Sequence, residues 1–71
     1  MTEIKTYKVS MLWDIECITF TNKATGVVRY TINIVMTTVP WRDVVSTFST
    51  YNKDEANKEF QRLVHKYKEL N

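Results

Sequence analysis

The chain has 71 residues, and 10 basic against 8 acidic side chains leave a net charge of +2. A chain of this length buries little surface, so we expect residues 1–71 to form one small domain with a thin core. A single cysteine excludes an intramolecular disulfide and a cysteine-rich zinc site. The near-neutral charge disfavours strong steering of polyanions.

The first ten residues carry charges where a signal peptide needs an apolar stretch, and no run approaches the roughly 18 apolar residues of a membrane span. We therefore expect a soluble, cytoplasmic protein without a membrane partner. Lys, Asn, Ile, Tyr and Phe are abundant while Gly and Pro are scarce. This composition is typical of an AT-rich gene from a low-GC bacterium or a phage.

The chain begins with period-two patterning that predicts a first strand over residues 7–13. In the next segment the large side chains of Ile18 and Phe20 occupy even positions, so the pattern slips by one residue. A slip of one residue turns every side chain to the other face of a sheet, which requires a turn or a bulge. We expect a turn near Trp13 and Asp14. The inward residues of the first strand are Tyr7, Val9, Met11 and Trp13.

Residues 22–26 end in the only glycine, Gly26, and a hairpin loop commonly needs a positive φ at such a position. Residues 27–37 alternate most clearly and predict a further strand. Pairing back from the loop places Phe20 near Val28 and Ile18 near Tyr30, so that their apolar faces coincide.

The segment from Trp41 to Thr50 fits two structures. A helical stripe is matched by Trp41, Val44, Val45 and Phe48, and Pro40 suits a first helical turn. The density of β-branched and hydroxylated residues instead favours a strand over residues 44–50, which would lead directly into the next element. We favour the strand.

Residues 53–70 predict one amphipathic helix. Asn52 is a suitable N-cap and Glu55 follows three residues later, as in a capping box. Acidic residues lie near the helix start and basic residues near its end, which suits the helix dipole. The apolar stripe contains Ala56, Phe60, Leu63, Val64, Tyr67 and Leu70.

These elements predict an α+β fold: an antiparallel β-meander of three to four strands with one C-terminal amphipathic helix packed on one face (β-β-β-β-α). The other face should be polar, and its expected residues are Lys8, Ser10, Thr19, Thr21, Arg29, Thr31 and Asn33, with some of Ser46, Thr47 and Ser49. Such a face is either an ordinary solvated surface or a binding platform.

Basic residues on that face and on the helix could contact nucleic acid or phosphate. The candidates are Lys8, Arg29, Lys58, Arg62 and Lys66. A platform for single strands also needs exposed aromatic residues between the charges. The helix dipole alone explains basic residues late in the helix, so nucleic-acid binding is the alternative hypothesis and not the favoured one.

Catalytic and metal sites lack the residues they need. The only thiol and imidazole, Cys17 and His65, should face away from each other. Asp14 and Glu16 share a strand face but have no third acidic ligand beside them. Lone Gly26 cannot build a phosphate loop. We therefore expect no enzyme activity, no metal and no cofactor.

Several apolar residues fall out of phase with their neighbours, which predicts contact with a partner or a second copy. They are Leu12, Ile15, Val27, Val35 and Val39. We therefore expect a non-enzymatic protein-binding module, of the type of a phage accessory regulator or inhibitor, acting as a homodimer. The candidate interface residues are Trp13, Trp41, Leu12, Val35 and Tyr51.

Overall fold

The computed structural model describes residues 1–38 and 40–69, which form one antiparallel sheet in the order β1-β2-β3-β4 and one helix on one face of it. The α+β meander predicted from the sequence is confirmed. The elements are β1 (Thr2–Lys8), β2 (Trp13–Thr21), β3 (Val28–Thr38), β4 (Trp41–Thr50) and α1 (Lys53–Glu69). The sheet surface turned away from α1 is called the open face below.

The predicted first strand over residues 7–13 is wrong, because β1 ends at Lys8 and Met11 is exposed outside the strands. The first turn lies earlier than predicted. It covers residues 9–12, where the backbone amides of Val9 and Ser10 both donate to the Trp13 carbonyl at 3.0 and 3.2 Å. β2 then runs without a turn or bulge from Trp13 onward. The slip in the sequence pattern therefore arises because β2 is one continuous strand with apolar residues on both faces. Ile15 is in the core under α1, and Ile18 lies on the open face.

The predicted register between β2 and β3 is wrong by one residue. Phe20 pairs with Arg29, and Ile18 pairs with Thr31. Because side chains alternate between the two faces, this shift moves both apolar residues to the open face and turns Thr19 toward α1.

The β2–β3 loop has the predicted form. Gly26 adopts φ 75°, and its amide donates to the Asn22 carbonyl at 2.7 Å. The Asn22 Oδ1 atom accepts the Ala24 amide at 2.9 Å. The side chain of Asn22 therefore closes the loop that Gly26 allows.

The segment from Trp41 to Thr50 is a strand, as favoured from its composition, and begins three residues earlier than residue 44. Its ladder with β3 contains a bulge: Ile34 pairs with Ser46 and Val35 with Val44, which leaves Val45 as the extra residue.

The core lies between α1 and the inner faces of β2 and β3. Its buried cluster contains Ile15, Ile32, Ile34 and Leu63. Two aromatic pairs extend it toward both ends of the helix: Tyr7 meets Phe60 edge-on at 5.0 Å, and Trp13 tilts against Tyr67 at 4.9 Å.

The helix begins as predicted at its N-cap. The Asn52 Oδ1 atom accepts the Glu55 amide at 3.0 Å, while the Asn52 amide donates to the Thr50 Oγ1 atom at 3.1 Å. The Asn52 side chain therefore caps the helix as predicted, while the partner of the Asn52 amide is Thr50 of β4 and not the Glu55 side chain. Leu70, the last residue of the predicted stripe, lies outside the described residues. Within residues 1–38 and 40–69, no helix combines the length and hydrophobicity needed to span a membrane.

Candidate functional site

The open face is divided into an ionic half and an apolar half. In the ionic half, Glu16 of β2 lies opposite Asn33 of β3 and accepts a hydrogen bond from its Nδ2 atom at 3.2 Å. The Arg42 guanidinium, from β4, donates to the other Glu16 oxygen at 2.9 Å. Together these two donors hold the pKa of Glu16 below its ordinary value.

The Arg42–Glu16 ion pair crosses the middle of β3. Glu16 pairs with Asn33, Arg42 pairs with Thr37, and Val35 lies between those two β3 positions on the same face. The ion pair therefore passes over Val35, whose exposed fraction is 0% although α1 lies on the other side of the sheet. A long arginine side chain can shield apolar surface in this way while its charged end remains paired.

A second ion pair extends this half toward β1. The Lys8 Nζ atom lies 3.7 Å from Asp14 Oδ1 and donates to the Met11 carbonyl at 3.3 Å. Asp14 and Glu16 share a face, as predicted, and each lies beside a basic side chain. The described residues contain no group of three or more His, Cys, Asp or Glu side chains that could hold a metal ion.

The apolar half lies toward the β2–β3 loop. Ile4 pairs with Ile18 across β1 and β2, and Phe20 follows on the same face. Phe20, Val27 and Tyr51 line one shallow depression of about 170 Å³ with Asn22 and Arg29. We call Ile4, Ile18, Phe20, Val27 and Tyr51 the apolar patch. Ile4 is 58% exposed and Tyr51 68% exposed, so much of this apolar surface meets water.

One charged group lies within the patch. The Arg29 guanidinium stands 5.7 Å above the centre of the Phe20 ring, directly across the β2–β3 ladder. This cation–π contact keeps the charge beside an aromatic face and leaves the surrounding surface apolar.

The structure separates the predicted interface residues. Val35 is fully buried by its own chain, and Trp13 is half-buried against Tyr67, so neither presents the free surface that was predicted. Leu12 and Trp41 are exposed at one end of the sheet, where the Leu12 carbonyl accepts the Thr37 amide at 2.7 Å. Tyr51 lies with the apolar patch instead.

The out-of-phase apolar residues have the same mixed outcome. Ile15 is in the core and needs no partner, whereas Val27 is exposed in the apolar patch. Val39 lies outside the described residues.

The predicted basic contacts do not form one surface. Lys8 and Arg29 lie on the open face, near opposite ends of β2, while Lys58, Arg62 and Lys66 are on α1. The Arg62 Nε atom donates to Glu59, which raises the pKa of Arg62 and lowers that of Glu59. Because α1 covers the other side of the sheet, the two basic groups point away from each other.

A groove of about 520 Å³ lies between α1 and the inner faces of β1, β2 and β3, and no sequence pattern predicted it. It exists because α1 packs over β2, β3 and β4 and meets β1 through the Tyr7–Phe60 pair, which leaves the inner side of β1 open at Glu3 and Lys5. Cys17 lines this groove, and burial together with the Glu16 charge raises the pKa of its thiol. His65 is exposed on α1 and is not among the residues that line the groove. The other lining residues include Glu3, Lys5, Tyr7, Thr19, Tyr30, Lys53, Ala56, Asn57, Phe60 and Gln61.

The sequence pattern did not predict the apolar patch or the Glu16–Arg42 pair. The sequence feature that could have indicated the patch is the slip between Ile15 and Ile18, because such a slip fits a continuous strand that is apolar on both faces as well as it fits a turn. No sequence signal links Glu16 to Arg42, because they are 26 residues apart and meet only across β3.

No known protein family, curated protein or solved structure matches the chain.

Proposed function

We propose that the chain is a non-enzymatic binding module that acts through contact with other protein chains and works as a homo-oligomer. The observation that carries this proposal is the apolar patch, which the chain's own helix leaves uncovered. Exposed apolar groups grouped on one surface are typical of a protein contact site. The proposed role of accessory regulator or inhibitor, from a phage-type gene, rests on size and composition alone.

The chemistry of the patch supports an apolar protein surface as its partner. Its large side chains are aliphatic or aromatic, and its charge, on Arg29, is held against Phe20. Aromatic residues and arginine are enriched in protein interfaces because they combine apolar area with a directed polar contact. The ionic half beside the patch would form a polar rim, since Glu16 and Arg42 already neutralise each other there.

The test compares two lysine substitutions on one strand. Ile4→Lys places a charge in the patch, and Thr6→Lys places the same charge two residues away, opposite Glu16 on the same face. Capture from host lysate, quantified by mass spectrometry with and without nuclease, should lose its protein partner in the first variant and keep it in the second. Equal capture by wild type and Ile4→Lys would contradict the proposal.

Single-stranded nucleic acid is the second candidate ligand of the same surface. The supporting observation is the grouping of Arg29, Phe20 and Tyr51 around one depression, since bases stack on aromatic rings and on guanidinium planes. Fluorescence anisotropy with a labelled single strand should then show binding that weakens as salt rises and is lost in Arg29→Ala. A flat titration with wild type would remove this candidate.

A further inference from the structure

The two edges of the sheet differ in how they are protected against pairing with another strand. β1 is seven residues long and carries Glu3, Lys5 and Lys8, with the Lys5 Nζ atom 3.6 Å from Glu3 Oε1. Charged side chains, lysine above all, are a common protection of an exposed sheet edge. The β1 edge therefore carries this kind of protection.

The β4 edge lacks charged side chains over most of its length. β4 has ten residues, and its charged side chains, Arg42 and Asp43, lie at its start. Arg42 is directed across the sheet to Glu16. Residues 44–50 contain no charged side chain, and β4 is exposed from Trp41 through Thr47.

We propose that a second copy of this chain pairs along β4, antiparallel and around a twofold axis that passes through residues 44–50. This inference rests on the proposed homo-oligomer and specifies its geometry. Two copies of the four-stranded sheet would then form one continuous sheet of eight strands.

A second copy can occupy the β4 edge without repulsion between like charges. In a twofold antiparallel pair each residue meets another residue of the same segment, so like charges facing each other would repel. Residues 44–50 bring no charge to any such register. Their serine and threonine side chains suit cross-strand contacts, and inside the chain Thr31 Oγ1 and Ser49 Oγ already lie 3.1 Å apart across β3 and β4.

The bulge limits where the axis can lie. Val45 is the extra residue opposite Val35, so the ladder is regular from Ser46 to Thr50 and irregular before it. A new ladder on the outer side of β4 is best formed by this regular part. The pairing would also place both apolar patches on the same face of the joint sheet, because a twofold axis perpendicular to the sheet preserves its faces.

The first test is a pair of matched variants measured by size-exclusion chromatography with light scattering. Thr47→Lys places a charge on β4, and Thr6→Lys places it on β1 of the same open face. Wild type and Thr6→Lys should have twice the chain mass of 8.4 kDa, whereas Thr47→Lys should fall to 8.4 kDa. Circular dichroism verifies that both variants are folded, and Ser49→Lys replaces Thr47→Lys if the latter is not.

The second test maps the contact by disulfide cross-linking in a Cys17→Ser background. Single cysteines at 46, 47, 48, 49 and 50 should give one sharp maximum of dimer, because only the residue at the axis meets its own copy within about 5.5 Å. Thr6→Cys and Phe20→Cys should give none. A wild-type dimer that survives Thr47→Lys and cross-links through Phe20→Cys would overturn the β4 pairing while keeping the homo-oligomer. A wild-type mass of 8.4 kDa at every concentration would overturn both.

Discussion

Val35 provides the most direct test of the open face, because it is fully buried on the side of the sheet that α1 does not cover. The Arg42–Glu16 pair, Asp14 and Val44 surround it in the register. Val35→Ala removes two side-chain carbons from the buried site, and the lost transfer free energy is about 1.6 kcal/mol at ~0.8 kcal/mol per buried methylene-sized group. The cavity that the smaller side chain leaves adds ~24 cal/mol per Å³ to this loss of stability. We expect a total loss of about 2–3 kcal/mol in the free energy of unfolding.

This loss is large for a chain of 71 residues, whose total stability should be about 4–11 kcal/mol at ~0.05–0.15 kcal/mol per residue. Urea denaturation followed by circular dichroism measures it. The control is Val45→Ala at the bulge, where the side chain is 49% exposed and the change should stay within about 0.5 kcal/mol.

Measuring the same pair of proteins at different concentrations distinguishes burial of Val35 by its own chain from burial by a partner chain. If Val35 is buried by its own chain, the difference between wild type and Val35→Ala is the same at low and high concentration. If Val35 were covered by a second copy, the difference would grow with concentration, since association adds stability by mass action. A concentration-dependent difference, or a loss no greater than that of Val45→Ala, would refute the reasoning.

Three further measurements test the site and the helix. Asn33 and Arg42 lower the pKa of Glu16 from 4.5, so the contribution of Glu16 to stability is present above pH 4.5 and is lost as the pH falls below that value. In acid denaturation followed by fluorescence, Glu16→Gln should reduce the pH dependence of stability in this range. An unchanged denaturation curve would contradict this role of Glu16. The raised pKa of Cys17 should make its reaction with a thiol reagent at pH 7 to 8 slower in the native protein than in urea, and equal rates would show a freely reactive thiol. Asn52→Ala should destabilise the fold by about 1 kcal/mol through loss of the N-cap bond to Glu55, measured by thermal denaturation, and an unchanged melting temperature would count against that bond.

The sequence by itself determined the parts of this protein that depend on local chemistry. Asn52 and the periodic apolar residues after it specify α1, and the position of Gly26 specifies the β2–β3 loop, because caps, helical spacing and a positive φ act within a few residues. The β-branched composition of Trp41–Thr50 likewise favoured the strand that forms.

Only the tertiary structure decided which face each strand presents. The pairing of Phe20 with Arg29 instead of Val28 is a shift of one residue, yet it moves Phe20 and Ile18 to the open face and creates the apolar patch. Val35 is buried because Glu16 and Arg42 meet above it, from strands on either side of β3. Register and such cross-sheet contacts depend on residues far apart in the chain. For this reason the local pattern predicted α1, the β2–β3 loop and the strand β4, but it misplaced the first strand and the surface of the open face.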